Sequence, residues 1–402
     1  MLAESFAPIV GGIERIVESL SVALAARGHE VSVATLSQPD SEPPTLEGVE
    51  VYPLGSALHR IPGVGSDSER RHAPPAPDPR TVLDLRRVIE RTRPEVVHAH
   101  NWLVHAYLPL DRGSDAALVL SMHDYGLVCA TKRFLNRGTL CTGPAAGKCE
   151  RCAADYYGAL KGPPIALATR HSEQRVRRHV DYFLPVSPTV ARLCRVEGPH
   201  VAVVPNFVPE LPPADPRHEH RLEGLPDGPY VFYFGDVTTD KGARHLVDVY
   251  RELDSPPPLV LAGRNYLDLD REPNVIALGK LPHPTVIEAL RRSMFTVAPS
   301  ILPETFGLVA LESAAVGKPI IASNIGGLGD IVVDGETGLL VPPGDGPALR
   351  AALERLLGDE ALRARMGASA REFVAAYGPE AVVPQFEAAY GAAVEARALA
   401  SA

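Results

Sequence analysis

Short apolar segments of strand length alternate with longer segments of helical periodicity through most of this 402-residue chain. Because strands that alternate with helices are joined by crossover connections, the pattern predicts parallel sheets covered by helices. A chain of this length exceeds what one ordinary core supports, so two such domains are expected. The sequence therefore predicts an α/β protein with two Rossmann-like, doubly wound domains.

The predicted strands form two series, one in each half of the chain. In the first half, segment 13–29 has helical periodicity and contains Gly28 as its stop signal. Only Met1 to Glu4 precede the turn at SFAPIVGG, too few for a full first strand, so we expect the natural chain to start upstream of Met1. The predicted strands are 30–36, 49–54, 95–100, 117–123 and 182–187 in the first half, and 230–236, 259–263, 275–279, 295–300, 319–323 and 338–343 in the second.

Segments rich in proline and charge indicate the domain boundaries. One of them, 206–229, is predicted to be the linker, and another, 56–80, a loop. We expect an N-terminal domain over 1–206, a C-terminal domain over 207–377, and a final helix, 378–402, that returns to the N-terminal domain. Two doubly wound domains joined in this way would face a cleft at the carboxyl ends of their strands, where such folds bind ligands.

Composition and charge exclude several classes of protein. A net charge of −9 argues against a general nucleic-acid-binding protein, which would be basic. The sequence contains no uninterrupted apolar segment of about 18 residues, the length that would span a membrane. The first residues lack the basic and apolar regions of a signal peptide, so a cytoplasmic location is expected.

The segment ILPETFGLVALESAAVGKP (301–319) places two glutamates around a predicted helix start. Glu304 falls on the loop, Gly307 at the entrance of the helix, and Glu312 in its second turn. The free N–H groups of a helix start can bind an anion, and carboxylates can accept hydrogen bonds from hydroxyl groups. The alternative is an ordinary helix start, with Glu304 as a cap and Glu312 in solvent.

The longer segment 303–345, PETFGLVALESAAVGKPIIASNIGGLGDIVVDGETGLLVPPGD, resembles the donor-binding signature of the GT-B retaining glycosyltransferases of family 4. The resemblance implies the GT-B fold and transfer of a sugar from a nucleotide-diphosphate sugar to a hydroxyl acceptor, with retention at the anomeric carbon. It implies no catalytic metal, and front-face attack assisted by the departing phosphate. The similarity extends, in the family's order, to PIVGGIERIV (8–17), VVHAH (96–100), VVPNFV (203–208), FGDVTTDKG (234–242) and LVLAG (259–263).

The resemblance assigns donor-binding roles to the glutamate segment. Glu304 would bind hydroxyl groups of the donor sugar, and Glu312 would bind the ribose. The backbone of Phe306, Gly307 and Leu308 would contact sugar and phosphate.

In the first half, the resemblance assigns roles to a glycine pair and a histidine. Gly11 and Gly12 correspond to the glycine loop that faces the donor phosphate, the alternative being a simple strand–helix turn. His123 corresponds to the histidine near the reacting carbon, where it would support charge and position the acceptor. For His98 and His100, a structural or acceptor-shaping role is expected.

The phosphate-binding stretch departs from the family pattern. The family has Gly-Arg there, with a lysine five residues after the arginine; this chain has Gly235 followed by Asp236, and Lys241 in the expected place. An aspartate about 4 Å from a phosphate would repel it by roughly 4 kcal/mol at an effective dielectric constant near 20. Either Asp236 points away, or a cation compensates for it. Arg264 is the first candidate for that cation, and Arg244 the second.

A cysteine-containing insertion over 125–160 follows His123. Its four cysteines, two of them as C-x-x-C, could hold a structural zinc, or could be thiols that bind nothing. The insertion is expected to shape the acceptor site. A basic stretch, TRHSEQRVRRHV (169–180), could contact a membrane surface peripherally, or form a solvated helix face. The four cysteines are Cys129, Cys141, Cys149 and Cys152, while Cys194 is expected in the core.

Two other functions share the predicted fold and donor site. An epimerase or hydrolase of nucleotide sugars would need no acceptor pocket, and the insertion beside His123 favours transfer over it. A catalytically inactive nucleotide-sugar-binding homologue is suggested by Asp236. The joint presence of Glu304, Glu312 and Lys241 with His123 favours an enzyme. By the resemblance, the catalytic residues would be His123, Glu304 and Lys241, with Lys241 stabilising the leaving phosphate. The sequence identifies neither the acceptor (natural product, lipid-linked precursor or glycan) nor the oligomeric state.

Overall fold

A computed structural model describes residues 1–6, 11–38, 45–60, 71–208, 211, 224–267 and 269–401. The chain divides into two compact units: the first comprises 1–136, 141–206 and 382–402, and the second 137–140 and 207–381. Most of the predicted linker 206–229, and parts of the predicted loop 56–80 and of PIVGGIERIV, lie outside the described residues.

Each strand predicted from the sequence is present, with both ends within two residues of the prediction. The predicted first helix is also present, and Gly28 lies just beyond its end with φ at +94°. The strands are β1 (Leu2–Ala3), β2 (Val31–Leu36), β3 (Val49–Leu54), β4 (Val96–His100), β5 (Ala117–Met122), β6 (Leu135–Asn136), β7 (Thr139–Leu140), β8 (Tyr182–Pro185), β9 (Val231–Phe234), β10 (Leu259–Ala262), β11 (Val275–Ala277), β12 (Phe295–Ala298), β13 (Ile320–Ser323) and β14 (Gly338–Val341).

Each unit contains one parallel sheet of six strands. The order is β3-β2-β1-β4-β5-β8 in the first unit and β11-β10-β9-β12-β13-β14 in the second. This is the strand order of doubly wound folds, in which the order reverses beside the first strand of each sheet. The predicted fold class, two Rossmann-like α/β domains, is therefore confirmed.

The central strand of the first sheet is very short. Leu2 pairs with Ala34 of β2 on one side and with Ala99 of β4 on the other, and the side chains of Leu2 and Ala3 are buried. The backbone N–H of Ala34 also donates to the carbonyl oxygen of Met1 at 2.8 Å. The central strand of this sheet therefore has only two residues. It is formed from the four residues before the turn, which the sequence indicated were too few for a full strand.

Helices cover both sheets, and several have side-chain caps. Asp78 accepts hydrogen bonds from the backbone N–H groups of Arg80 and Thr81, and Ser187 accepts one from Val190. The helices are α1 (Gly12–Ala26), α2 (Pro79–Thr92), α3 (Val104–Tyr107), α4 (Lys148–Tyr157), α5 (Gly162–His179), α6 (Pro188–Cys194), α7 (Ala243–Tyr250), α8 (His283–Arg292), α9 (Leu308–Ala315), α10 (Gly326–Ile331), α11 (Gly346–Gly358), α12 (Glu360–Phe373) and α13 (Pro379–Ser401).

Charged groups attach the C-terminal part of α13 to the first unit. The Arg397 guanidinium lies 2.9 Å from a carboxylate oxygen of Asp111 and 3.7 Å from one of Asp181. Asp111 is buried, and His179 at the end of α5 lies 2.7 Å from its other oxygen. Within the described residues, no helix combines the length and apolar character needed to cross a membrane.

The second sheet packs one face against α7, α11 and α12. Leu246 of α7, Leu353 of α11 and Met366 of α12 join one buried cluster with Leu261 and Val297 of the sheet. Beyond β9 and β10 the backbones come unusually close, because a Cβ on Gly263 would lie 1.8 Å from the carbonyl oxygen of Gly235. Only glycine permits this approach.

We expect Gly263→Ala to lower the free energy of unfolding by about 3 kcal/mol, because the methyl group would force the two loops apart. Gly228→Ala is the matched control, since a Cβ there meets no atom within 4 Å. Thermal unfolding followed by circular dichroism measures both variants. Equal melting temperatures for the two would show that the close approach is not a stability constraint.

Candidate active site

Glu304 is held by the start of α10. The backbone N–H of Gly327 donates to the carbonyl oxygen of Glu304 at 2.6 Å. A Cβ on Gly326 would lie 2.2 Å from that oxygen, and one on Gly327 would lie 2.4 Å from the Cα of Phe306. The glycine pair therefore lets α10 pack directly on the loop after β12 and fixes where the Glu304 side chain begins.

The side chain of Glu304 is bound by a lysine and a serine. Lys241 Nζ donates to its two carboxylate oxygens at 2.6 and 2.7 Å, and Ser300 Oγ donates to Oε1 at 2.7 Å. The Glu304 side chain is 15% exposed, so the ion pair is partly shielded from solvent. Lys241 follows β9 and Glu304 follows β12, neighbouring strands of the sheet. The sheet thus brings together two residues that the sequence analysis assigned to catalysis.

Gly307 precedes the first residue of α9, as the sequence predicts. Its φ of +95° lies in the left-handed region, and a Cβ there would lie 2.7 Å from Leu328 Cδ2. The neighbouring Phe306 side chain is buried. Glycine is therefore required by the turn and by the packing of α10, in addition to any ligand. The backbone N–H groups at the start of α9 remain suited to an anion.

Glu312 lies in α9 and is paired with a histidine that the sequence analysis did not single out. His283 Nε2, at the start of α8, donates to Glu312 Oε1 at 2.9 Å. The Glu312 side chain is only 6% exposed, so the alternative of a solvated glutamate is wrong. A buried carboxylate needs a hydrogen-bond donor, and that requirement is the signal that could have indicated a partner.

Asp236 forms an ion pair with Arg264. The Nε and Nη2 atoms of Arg264 each lie 3.2 Å from a different carboxylate oxygen of Asp236, a two-point contact. Arg264 follows β10, directly beside β9 in the sheet. Arg264 thus forms the predicted pair with Asp236, while the effect of this pair on phosphate binding stays a prediction. The second candidate, Arg244, instead pairs with Glu272 at 2.7 Å.

In the first unit, His123 lies directly after β5 and is buried. Its backbone N–H donates to Asn101 Oδ1 at 3.2 Å, and its Nε2 lies 2.9 Å from His100 Nδ1. Burial lowers the pKa of His123 to about 4 and the pKa of His100 well below its ordinary value. Both rings are therefore neutral near pH 7. A neutral His123 ring can donate one hydrogen bond and accept another, and its expected role near the reacting carbon stays a prediction.

His98 has a structural role, one of the two expected for it. Its Nε2 lies 2.7 Å from Ser121 Oγ and its Nδ1 lies 2.8 Å from the hydroxyl oxygen of Tyr390 in α13. Gly11 and Gly12 are at the start of α1, where Gly11 has an extended backbone and its carbonyl oxygen accepts from Arg15.

A charged group that includes Asp124, the residue after His123, was not predicted from the sequence. Lys132, in the insertion, lies 3.2 Å from a carboxylate oxygen of Glu4, 3.5 Å from one of Asp124, and over the ring of Trp102. Although burial opposes it, the Lys132 ammonium with His72 lowers the pKa of Glu4 to about 2. Burial raises the pKa of Asp124 despite the same lysine. Glu4 follows β1 and Asp124 follows β5, so the insertion supplies the cation for two strand ends.

The four cysteines of the insertion do not supply a ligand set. Cys141 lies 3.5 Å from Lys148 Nζ, and Cys149 accepts from the backbone N–H of Ala145 at 3.3 Å. Across the described residues, no three His, Cys, Asp or Glu side chains are grouped so that they could hold a metal ion. The zinc site therefore stays a prediction without structural support. Cys129 and Cys152 are also free thiols, and Cys194 is buried as expected.

The basic stretch 169–180 forms the C-terminal part of α5 and the turn after it. Arg177 is engaged, since its guanidinium donates to the carbonyl oxygens of Cys194 and Arg195 at 2.6 and 3.1 Å. Arg170 and Arg175 are exposed.

The strand ends of both sheets carry these side chains, which is where doubly wound proteins bind their ligands. A lysine, an arginine and a helix start lie at the ends of β9, β10 and β12, and these are groups that suit a protein that binds a phosphorylated ligand. Comparison with known families makes the assignment specific. A model described as "Glycosyl transferase 4-like domain" matches residues 11–206, and one described as "Glycosyl transferases group 1" matches residues 217–373.

The chain belongs to the group 1 glycosyltransferases of the GT-B fold, enzymes that use nucleotide sugars. It is 29% identical to a glycogen synthase of Mycobacterium tuberculosis, over 92% of this chain and 89% of that protein. It is also 29% identical to a D-inositol 3-phosphate glycosyltransferase of Xylanimonas cellulosilytica, over 90% and 87%. Among solved structures, sucrose-phosphate synthase from Thermosynechococcus elongatus superimposes with a TM-score of 0.74 at 23% identity, over 95% and 93% of the two chains.

We expect Arg264→Ala to weaken the binding of a nucleoside diphosphate about fivefold to tenfold. The Asp236 side chain is 44% exposed, so solvent screening leaves about 1 kcal/mol of the repulsion between its uncompensated charge and a phosphate. The double variant Asp236→Asn/Arg264→Ala should return to within about twofold of the wild type, because the repelling charge is gone. Isothermal titration with UDP, GDP and ADP measures this, with Arg244→Ala as the control. Unchanged affinity in Arg264→Ala would contradict the compensation.

We expect His283→Leu to weaken nucleotide binding about tenfold, while His283→Gln retains most of the affinity. Leucine leaves a buried carboxylate without its donor, whereas the glutamine amide can replace it. The readout is the Kd of whichever of UDP, GDP and ADP binds the wild type most tightly. The corresponding 2′,3′-dideoxy nucleotide serves as the control and should show no difference between leucine variant and wild type. An equal loss for both nucleotides would place the effect elsewhere than at the ribose.

Proposed function

We propose that this glycosyltransferase moves a sugar from a nucleotide-diphosphate sugar to a hydroxyl group of an acceptor, with retention at the anomeric carbon. The observation that carries the proposal is the contact of Lys241 and Ser300 with Glu304 at two adjacent strand ends. This arrangement offers a cation for phosphate and a carboxylate for sugar hydroxyl groups within one small region. Membership in the group 1 family supports the same assignment.

Lys241 would stabilise the leaving diphosphate. In transfer, the acceptor oxygen forms a bond to the anomeric carbon while the bond from that carbon to the phosphate oxygen breaks. Negative charge then accumulates on the phosphate, which an ammonium and the N–H groups at the start of α9 would stabilise. The acceptor proton would pass to the departing phosphate. No metal ion is assigned to this step.

Glu304 would orient the donor sugar. Its carboxylate already accepts from Lys241 and Ser300, and a carboxylate has acceptor sites for about four hydrogen bonds. Sugar hydroxyl groups could therefore join the contact without displacing the lysine. Glu312, held by His283, would accept from the ribose, and the paired Asp236 and Arg264 would present little net charge to the phosphates.

His123 would contribute from the first unit through a neutral ring. The backbone contact to Asn101 fixes its position after β5. The group of Glu4, Lys132 and Asp124, in which Asp124 directly follows His123 in sequence, would provide hydrogen-bonding atoms suited to the acceptor. These atoms favour transfer over hydrolysis, because an enzyme that hydrolyses nucleotide sugars requires no such group.

The function is tested by mixing the protein with a panel of nucleotide sugars and measuring nucleotide release with and without candidate acceptors. Release that needs the acceptor supports transfer, release without it supports hydrolysis, and binding alone supports an inactive homologue. Proton NMR of the product reports whether the anomeric configuration is retained.

We expect Lys241→Met and Glu304→Gln to lower kcat by about 100-fold to 1,000-fold, because each removes a charge aimed at the reacting groups. Lys280→Met and Glu336→Gln, at exposed positions of the same unit, are the matched controls and should keep wild-type rates. Steady-state rates with saturating donor measure all four variants. A loss below tenfold in both test variants would remove this pair from catalysis.

A further inference from the structure

The rings of His100 and His123 meet end to end. Their nitrogen atoms, Nδ1 of His100 and Nε2 of His123, lie 2.9 Å apart, the planes differ by 18°, and the ring centres are 5.1 Å apart. The distance between the ring centres is close to the sum of the nitrogen–nitrogen distance and the two ring radii. The contact is therefore an in-line N–H···N hydrogen bond, in which one ring donates and the other accepts.

The outer nitrogens of this pair have no partner within the described part of the chain. His100 Nε2 and His123 Nδ1 are both buried and make no hydrogen bond there. The exposed fractions are 1% for His100 and 5% for His123. His98 packs against His100, with ring centres 4.2 Å apart, but both of its nitrogens already contact Ser121 and Tyr390. An unsatisfied buried donor costs about 1–3 kcal/mol, so such an arrangement indicates a ligand.

Two arrangements of the protons fit this geometry. Burial keeps both rings neutral, so each ring carries one proton and a single proton occupies the contact. If His123 donates, the unpartnered N–H is Nε2 of His100, the more deeply buried ring. If His100 donates, the unpartnered N–H is Nδ1 of His123, the less buried ring. The second arrangement leaves the unpartnered N–H on the ring with the larger exposed fraction, and it is the arrangement on which the proposal rests.

We propose that His100 is a positioning residue, whose Nδ1–H fixes the plane and tautomer of His123 so that His123 Nδ1–H donates a hydrogen bond to an oxygen atom of the bound sugar or acceptor. The inference rests on the proposed function, because it assumes a sugar-containing ligand beside His123. His100 itself touches no reacting atom and acts through His123.

Two amide substitutions separate a positioning role from a structural one. The amide of asparagine can occupy the place of histidine Nδ1, so His100→Asn retains a donor to His123. The amide of glutamine occupies the place of Nε2, so His100→Gln keeps a polar side chain but loses that donor. Both variants are polar and similar in size to histidine. His105→Asn, at a histidine that is 3% exposed in the same unit, controls for the loss of a buried imidazole.

The first experiment is ¹⁵N NMR of histidine-labelled protein, with the His123 signals assigned from His123→Gln. We expect the Nδ1–H tautomer in the wild type and in His100→Asn, and a shift toward Nε2–H in His100→Gln. A wild-type Nε2–H tautomer, or an unchanged tautomer in His100→Gln, overturns the proposal. This readout is independent of activity, so it stands even if no donor or acceptor is turned over.

The second experiment measures kcat and KM with the donor and acceptor found by the panel. We expect His100→Gln to lower kcat about 10-fold to 100-fold, with recovery to within about threefold in His100→Asn and wild-type rates in His105→Asn. Equal rates for His100→Gln and His100→Asn overturn the positioning role and leave the glycosyltransferase function intact. If no sugar is transferred by the wild type, the proposed function fails, and the NMR result alone decides the tautomer.

Discussion

The parallel order of the strands in each sheet brings chemically different side chains to one edge. In the second unit, β10, β9 and β12 are adjacent, so the loops after them begin side by side. Two close backbone approaches at this edge require glycine: Gly263 against the carbonyl oxygen of Gly235, and Gly326, after β13, against the carbonyl oxygen of Glu304. Lysine, arginine and carboxylates therefore occupy one small region on three separate loops, which no single loop could supply.

Charge pairing organises that region before any ligand binds. Lys241 with Glu304, Arg264 with Asp236 and His283 with Glu312 are three separate pairs at strand ends or helix starts. A partly buried charge is costly unless it is paired, and pairing also restricts the rotamers of both side chains. The pairs hold these side chains in place, so that binding of a ligand to them would require less ordering. In the first unit, Lys132 between Glu4 and Asp124 follows the same principle.

Local sequence patterns predicted the elements well and the pairings poorly. The strands and the start of α9 follow from apolar periodicity and from Gly307, because these are properties of neighbouring residues. The sequence indicated that the residues before the first turn are too few for a full strand. It did not indicate that a two-residue strand, β1, can be stabilised by pairing with a neighbouring strand on each side. His283 and Lys132 were not anticipated, because each acts on a residue distant in sequence. Ser300 was not anticipated either, although Glu304 lies only four residues after it. Arg264 was anticipated only because Asp236 demanded a counter-charge.

The sequence by itself determined the class of protein: two α/β domains and a glycosyltransferase signature, with Lys241, Glu304 and Glu312 as candidate site residues. Only the tertiary structure decided which groups meet. Lys241 and Glu304 are separated by 63 positions, and His283 and Glu312 by 29. The physical reason is the range of the interactions concerned. Periodicity and turn preference act between near neighbours and can be read along the chain, whereas ion pairs and hydrogen bonds depend on which strand ends the sheet makes adjacent.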